Sequence, residues 1–382
     1  MHNPNLLTGT YLMNGQVACA EGALAAGVQL FAGYPITPAT EISERLSVRL
    51  PQTGGIYVQG ADEIDSLAIV IGSVWGGFKA MTATSGNGIC LMQENIGYAA
   101  MTETPCVIVD MMRAGPGTGV ATKSAQGDIY QIRYGSNADY SIIALVPDSP
   151  QEMFDLTIEA FNLSEKYRVP TFILGDETLA HMREKVVIPA EVTLQERLIP
   201  GSEPGEGYET WAVKDGEDVP PLPSFGQGYH LAVSSFTRTE NGSPSQAYSV
   251  HKNLVERLSN KIEANVDQIT RIETEMVEDA ELIVVSYGTV SRSARSAVRK
   301  AREMGIKAGF CRLITIWPFP DSAIQSICKN AKKIIVAEMN MGMVKREVER
   351  STGRSADIVL LAKPGVELHK PVEILDQIRK MT

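Results

Sequence analysis

The chain has 382 residues, of which 44% are hydrophobic and 21% charged, and its formal net charge is −10. That balance suits a globular protein of two domains, and the negative sign argues against nucleic acid or an anionic membrane surface as partner. No apolar run approaches the roughly 18 residues of a membrane span, and Met1–Asn5 lacks the basic start of a secretory leader, so a cytoplasmic protein is expected.

From about residue 10 to 190, short apolar runs alternate with longer helical stretches. Strands are expected at Val28–Gly33, Ile56–Gln59, Lys79–Ala83, Cys106–Met111, Ser141–Val146 and Pro170–Leu174. Helices are expected at Gly15–Ala26, Thr40–Leu50, Asp62–Phe78, Leu91–Thr102 and Pro150–Tyr167. The last has a defined start: Ser149 can cap, Pro150 suits the first helical position, and Glu152 stands three residues after the cap. Such alternation predicts an α/β fold, a doubly wound, largely parallel sheet with helices on both faces.

Beyond Leu194 the periodicity fails, and prolines, glycines and acids cluster in Pro200–Gly228. A crossing segment or covering loop is expected there, with a helix resuming over Ala247–Ile269. Alternation returns at Glu281. Strands are expected at Leu282–Tyr287, Lys307–Arg312, Lys333–Ala337 and Ile358–Leu361, and helices at Ser291–Met304, Pro320–Lys329, Gly342–Ser351 and Pro371–Lys380. The division is therefore a first domain over 1–190, an irregular connection over 191–270 and a smaller α/β domain over 271–382.

Cys19, Cys90, Cys106, Cys311 and Cys328 include no C-x-x-C pair, and the five histidines show no ligand spacing. Buried free thiols and no metal or cluster in this chain are expected.

Ligands of open α/β sheets gather where strands end and turn toward helices. Four such turns stand out, all in the first domain. Tyr34–Pro38 carries Thr37 between two prolines, Gly60–Glu63 places Glu63 at the start of an apolar helix, and Thr82–Gly88 is small, polar and glycine-rich. The fourth, Arg113–Gly119, follows an apolar strand. Each also has a plain reading: a stiff connection, a solvated acid favoured by the helix dipole, a tight turn, or an arginine paired to a neighbouring acid. Gly117–Ser124 comes close to a phosphate-binding loop but has Thr122 where the second glycine must stand. Nucleotide binding is rejected on that ground.

Taken in order, Tyr34–Pro38, Asp62-Glu63-Ile64, Thr82–Gly88 and Arg113–Gly119 with Gln126-Gly127-Asp128 resemble the α subunit of 2-oxoacid:ferredoxin oxidoreductases, most of all the 2-oxoglutarate branch. Arg312–Pro320, Glu338-Met339-Asn340 and Asp176-Glu177-Thr178 extend the likeness over nearly the whole chain. The resemblance implies a pyrimidine-binding thiamine diphosphate domain over 1–190 and a transketolase C-terminal-like domain over 271–382. Glu63 then matches the glutamate that hydrogen-bonds the cofactor's pyrimidine nitrogen. Thr37 and Arg113 match the residues that hold the oxoacid carboxylate and keto group. Thr84, Ser85 and Gly86 would line the cofactor pocket. Gly117, Thr118 and Lys123 would face either the distal end of the substrate or a partner.

The implied reaction is coenzyme A-dependent oxidative decarboxylation of 2-oxoglutarate to succinyl-CoA and carbon dioxide, with electrons passed to ferredoxin. A β subunit would bind the diphosphate and Mg2+. [4Fe-4S] clusters would likewise belong to partners, which include γ and ferredoxin-like δ subunits. Alternatives are the same chemistry on a branched or aromatic 2-oxoacid, and a non-catalytic assembly subunit. Four residues depart from the family pattern: Ala61, Asn87, Gly117 and Met343. The role of segment 229–245 is open.

Overall fold

The computed structural model describes residues 6–201, 205, 208–214, 216–353 and 356–382. Met1–Asn5, read above for a leader, lie outside these, as do 202–204, 206, 207 and 215 of the irregular stretch. The first half comprises β1 (Gly9–Asn14), α1 (Gly15–Ala25), β2 (Leu30–Gly33), α2 (Thr40–Gln52), β3 (Ile56–Gln59), α3 (Glu63–Trp75), β4 (Ala80–Thr84) and α4 (Gly86–Met101). It continues with β5 (Cys106–Ala114), β6 (Val120–Ser124), α5 (Ile129–Tyr134), β7 (Ile143–Leu145), α6 (Pro150–Tyr167), β8 (Pro170–Asp176), α7 (Glu177–His181) and β9 (Arg183–Ile188). After the connection come α8 (Tyr248–Glu263), α9 (Val266–Ile269), β10 (Ile272–Glu275), β11 (Leu282–Tyr287), α10 (Val290–Glu303) and β12 (Ala308–Leu313). β13 (Thr315–Trp317), α11 (Asp321–Cys328), β14 (Lys333–Glu338), α12 (Met343–Thr352), β15 (Asp357–Ala362) and α13 (Pro371–Met381) complete the chain.

Six strands of the first half run parallel in the order β7-β8-β5-β4-β2-β3. The period of two along each strand divides the core. Phe31, Val107, Val109 and Ile173 pack under α1, α2 and α6, whereas Ala32, Ile108 and Phe172 face α3 and α4. A second sheet, in the order β10-β12-β11-β14-β15, is parallel except for β10. Val284, Phe310 and Ile335 on one of its faces pack against α10 and α13. Val285, Cys311 and Val336 on the other join the α3–α4 core of the first sheet, so one apolar core spans both halves. Among the described residues no helix is long and apolar enough to cross a membrane.

The sequence reading places no strand at β1, β6, β9, β10 or β13. β13 departs furthest from it: this three-residue strand follows the second sheet's β12, yet pairs antiparallel with β7 at the edge of the first sheet. Val146 N–H donates to Ile314 O at 2.7 Å beside it. α4 begins at Gly86, not Leu91, because the glycine turn is itself the first helical turn. A Cβ on Gly88 would stand 1.9 Å from Thr84 Oγ1 and 2.6 Å from Glu63 Cγ, so close packing demands glycine there. The single helix expected over Ala247–Ile269 is two, broken at Asn265, whose Nδ2 donates to Lys261 O and Asp218 Oδ2. Ser149 does cap α6, its Oγ accepting from Glu152 N–H.

Residues 189–247 contain no helix or strand among those described, but charge fixes the segment to the first half. Glu103, fully buried, accepts from Arg257 at 2.8 and 2.6 Å and from Lys261 at 3.0 Å. Arg168 donates to Glu103 O and to the carbonyls of Pro220 and Pro221. Arg238 donates to Met101 O and lies 3.6 Å over the Trp211 ring.

Candidate active site

The strand order reverses between β2 and β4: β3 lies on one side of β2, β4 and β5 on the other. A crevice opens at the carboxyl ends of strands at such a point, and the turns after β2, β3, β4 and β5 all come from it or its neighbours. Glu63 is the first residue of α3, whose cap is Asp62, its Oδ1 accepting from Asp65 N–H at 2.8 Å. The plain reading of Glu63 as a solvated acid fails, since it is only 5% exposed. Burial pushes its pKa above the usual carboxylate range, with Asp62 adding to the rise and Arg113 opposing it. The missing Cβ of Gly88 leaves room for that carboxyl beside Thr84.

Arg113, near the end of β5, bridges two of the other turns. Its Nη1 donates to Thr37 O at 2.6 Å and its Nη2 to Asn87 Oδ1 at 3.2 Å, while its Nε is buried without an acceptor among the described residues. Thr37 itself is exposed. Thr84 and Ser85 are fully buried, and Ser85 Oγ has no partner among the described residues. Gly86 starts α4 and rests on Asp128, whose carboxylate oxygens both lie 2.8 Å from where its Cβ would be. The near-match to a phosphate loop is instead a hairpin, with β6 folding back antiparallel on β5. Gly117 at φ +62° and Gly119 at φ +51° make its turn, and Thr118 and Lys123 point to solvent on it.

A cavity of 390 Å³ lies between the two halves, walled by Gly86, Asn87, Arg113, Gly117 and Asp128 of the first and by Asn340 and Met343 of the second. Thus Arg113, Gly86 and Gly117 meet in one space, whereas Glu63, Thr37, Thr118 and Lys123 do not line it. Three of the departures from the family pattern, Asn87, Gly117 and Met343, do. Cys90 lines it as well and is exposed, against the expectation of buried thiols, with Gln131 Nε2 donating to its Sγ at 2.8 Å. The other four cysteines are buried, and among the described residues no group of three or more His, Cys, Asp or Glu is placed to hold a metal ion.

Sequence reasoning missed the residue that joins the two halves beside this cavity. Gln126 is fully buried, and every polar group it carries bonds to the second half. Its N–H donates to Met339 O and its Nε2 to Tyr287 O, while its Oε1 accepts from Met339 N–H and its carbonyl from Asn340 Nδ2. Arg312 makes the equivalent clasp by charge, pairing with Glu152 and Asp148 across the interface. Both residues stand in the quoted runs, so position was legible and the role was not.

The pyrimidine end of thiamine diphosphate fits these residues. Burial shifts the Glu63 carboxyl toward its protonated form, which can donate to a ring nitrogen, and the orphaned Ser85 Oγ offers a further polar contact in the adjoining turn.

Comparison with known proteins agrees. A family model described as pyruvate flavodoxin/ferredoxin oxidoreductase, thiamine diphosphate-binding, matches residues 21–257, and one for pyruvate:ferredoxin oxidoreductase core domain II matches 280–374. The chain is 48% identical to 2-oxoglutarate synthase subunit KorA of Methanothermobacter thermautotrophicus, over 98% of this chain and 100% of the relative. It is 36% identical to ketoisovalerate oxidoreductase subunit VorB of the same organism, over 97% and 98%. The solved 2-oxoglutarate:ferredoxin oxidoreductase of Magnetococcus marinus, with 2-oxoglutarate, coenzyme A and succinyl-CoA bound, superposes with a TM-score of 0.92 at 29% identity. That match covers 98% of this chain and 65% of the other. A split-gene transketolase shares the fold at TM-score 0.57 and 10% identity, over 96% and 97% of the two chains. With its fold, its switch-point turns and its near full-length relatives in agreement, the chain belongs to the thiamine diphosphate-dependent 2-oxoacid:ferredoxin oxidoreductase family.

Proposed function

We propose that the chain is the α subunit of a multi-subunit 2-oxoglutarate:ferredoxin oxidoreductase, converting 2-oxoglutarate and coenzyme A to succinyl-CoA and carbon dioxide while reducing ferredoxin. One juxtaposition supports the chemistry: a buried Glu63 across the Thr84–Gly88 turn from an Arg113 that reaches both Thr37 and Asn87. For the substrate, identity of 48% to a 2-oxoglutarate synthase subunit outweighs 36% to a ketoisovalerate enzyme.

When bound, thiamine diphosphate supplies the nucleophilic carbon and the electron sink for decarboxylation. Glu63 would hold the pyrimidine nitrogen through its carboxyl, whose burial shifts it toward the protonated, donating form. Arg113 and the Thr37 hydroxyl receive the oxoacid carboxylate and keto oxygen, the guanidinium offering a planar fork to a planar anion. Thr84, Ser85 and Gly86 would line the cofactor pocket, Gly86 alone of the three also facing the 390 Å³ cavity. Gly117 lies in the cavity toward the substrate's distal end, and Thr118 and Lys123 on the exposed hairpin suit a partner contact better. A β subunit supplies the diphosphate and Mg2+ site, and γ and ferredoxin-like δ subunits with [4Fe-4S] clusters carry the electrons out.

The test is anaerobic viologen reduction by the complex purified with its co-expressed partners. Reduction that requires 2-oxoglutarate and coenzyme A together, and is absent with pyruvate, is the expected result. Reduction with a branched or aromatic oxoacid only would move the substrate. Silence with every 2-oxoacid, in a complex that holds cofactor and clusters, would make the chain an assembly subunit.

A further inference from the structure

At the wall of the interdomain cavity two carboxyl groups meet with no donor between them. Asp110 sits in the middle of β5, fully buried, and neither of its oxygens has a hydrogen-bond partner among the described residues. Asp128 stands just before α5 without capping it, and its enclosed Oδ2 has no donor either. Thr84, the sheet neighbour of Asp110, leads into the turn whose Gly86 rests on Asp128, so the fold brings the two carboxyls to the same spot, where each perturbs the other. Ionised carboxylates offer acceptors only. Side by side, with Asp110 fully buried and Asp128 half-buried at the cavity wall, the two repel when both are ionised, and their contact becomes favourable only when one keeps its proton.

We propose that Asp110 and Asp128 share one proton as a positioning pair: Asp110 keeps it and donates to Asp128, whose ionised carboxylate braces the Gly86–Asn87 turn and, through Asn87, the Arg113 guanidinium. The contacts run without a gap. Asp128 presses on Gly86 so closely that a Cβ there would stand 2.8 Å from both its oxygens. The next residue, Asn87, accepts from Arg113 Nη2 at 3.2 Å. Arg113 itself follows Asp110 by three residues on β5 and is the cation that faces the pair. Cys90 of α4 is the other titratable group turned toward it. Thr84 of β4, beside Asp110 in the sheet, and Gln131 of α5, which donates to Cys90, are neutral.

The assignment of the proton follows depth. Burial, reinforced by Asp128, holds Asp110 well above the usual carboxylate range, while burial pushes Asp128 only up to about 6. At neutral pH the pair therefore carries one negative charge, set against Arg113. As pH falls through about 6, Asp128 takes up a second proton and the brace loses its anion. What Arg113 then holds rests on the function proposed above; the shared proton does not.

The test uses the assembled complex carrying isotope-labelled aspartate, with Asp110→Asn, Asp110→Leu and Asp128→Asn. Asparagine keeps a donor toward Asp128, and leucine has similar volume without one. Infrared spectra of the wild type at neutral pH should show a protonated-carboxyl band that vanishes in Asp110→Asn. KM for the oxoacid should stay within about threefold in Asp110→Asn and rise about tenfold or more in Asp110→Leu at little-changed kcat, the loss of one charge-assisted contact. Asp128→Asn should remove the fall in kcat/KM that the wild type shows as pH drops through about 6. A missing band, or equal behaviour of the asparagine and leucine variants, overturns the proposal. Should Asp110→Leu fail to assemble, or should no oxoacid prove to be a substrate, the band and its loss in Asp110→Asn still decide it.

Discussion

Glu103 and Glu63, both in the first half of the chain, are withdrawn from water, Glu103 completely and Glu63 to 5% exposure. Burial raises the pKa of both, yet they end in opposite states. Lys261 and Arg257 close on Glu103 and hold it well below the usual range, so it stays ionised and ties the connecting segment and α8 to the first domain. Among the described residues Glu63 has no such partner; Arg113 acts on it only at a distance and the carboxyl stays raised. Burial thus supplies the same push in both places, and the neighbours decide whether an acid becomes mortar or a reagent. The polar atoms around the two differ in the same sense. Glu103 is saturated with donors, whereas Ser85 Oγ and Arg113 Nε, in the turns around Glu63, lack partners among the described residues.

Exchanging each glutamate for glutamine sets the comparison at its sharpest. Glu63→Gln should lower turnover by about 10²–10⁴-fold, the range of a lost general acid–base group, with assembly and melting temperature preserved. Retained viologen reduction would break the contrast from the catalytic side. Glu103→Gln should do the reverse, costing about 3–5 kcal/mol of unfolding free energy because buried Lys261 and half-buried Arg257 lose their anion, while turnover per folded complex survives. Denaturant titration reads the first and steady-state assay the second.

Smaller effects grade the difference. Arg113→Lys keeps the charge but cannot fork to Thr37 O and Asn87 together, so KM for the oxoacid should rise about 10- to 100-fold with Glu103's network untouched. The least effect should be the pH slope of stability. Glu63 has a raised folded pKa, so its contribution weakens the fold as pH climbs from the unfolded value of about 4.3 upward. Glu103 has a depressed one, and its contribution, present above that value, is lost as pH falls below it. Melting curves over pH should therefore change in opposite senses: Glu63→Gln removes a decline on the alkaline side, and Glu103→Gln removes one on the acid side. Parallel curves would mean that the two acids are held alike.

Much of this architecture is legible in the sequence because it is local. Short apolar runs give the parallel strands, and the turns after β2 to β5 point to the crevice through their residue types. Glu63 stands out at the head of an apolar helix, but its role comes from the family resemblance, since a solvated acid is the plain reading there. What escapes is tertiary. Nothing in Thr315–Trp317 marks a strand, since its partner β7 comes from the other half of the chain. Gln126 reads as an ordinary polar loop residue until its four hydrogen bonds to Tyr287, Met339 and Asn340 of the second half are seen. Asp110 did leave a trace: it interrupts the apolar run Cys106–Met112, where an acid in a central strand has no water to turn to. Asp128, its counterpart, stands in the quoted Gln126-Gly127-Asp128 run, but only the fold brings the two carboxyls together.

The strand that β13 lends to the first sheet also governs how the molecule can be taken apart. A nick in the connection at 189–247 would leave two pieces joined by a seam of main-chain bonds and a common core, and they should migrate together until denatured. A fragment ending before residue 315 would instead present Ile143–Leu145, three fully buried apolar residues, as a bare sheet edge. Such an edge is a template for any strand that meets it, so the N-terminal half made by itself should be lost to aggregation well before its own helices melt.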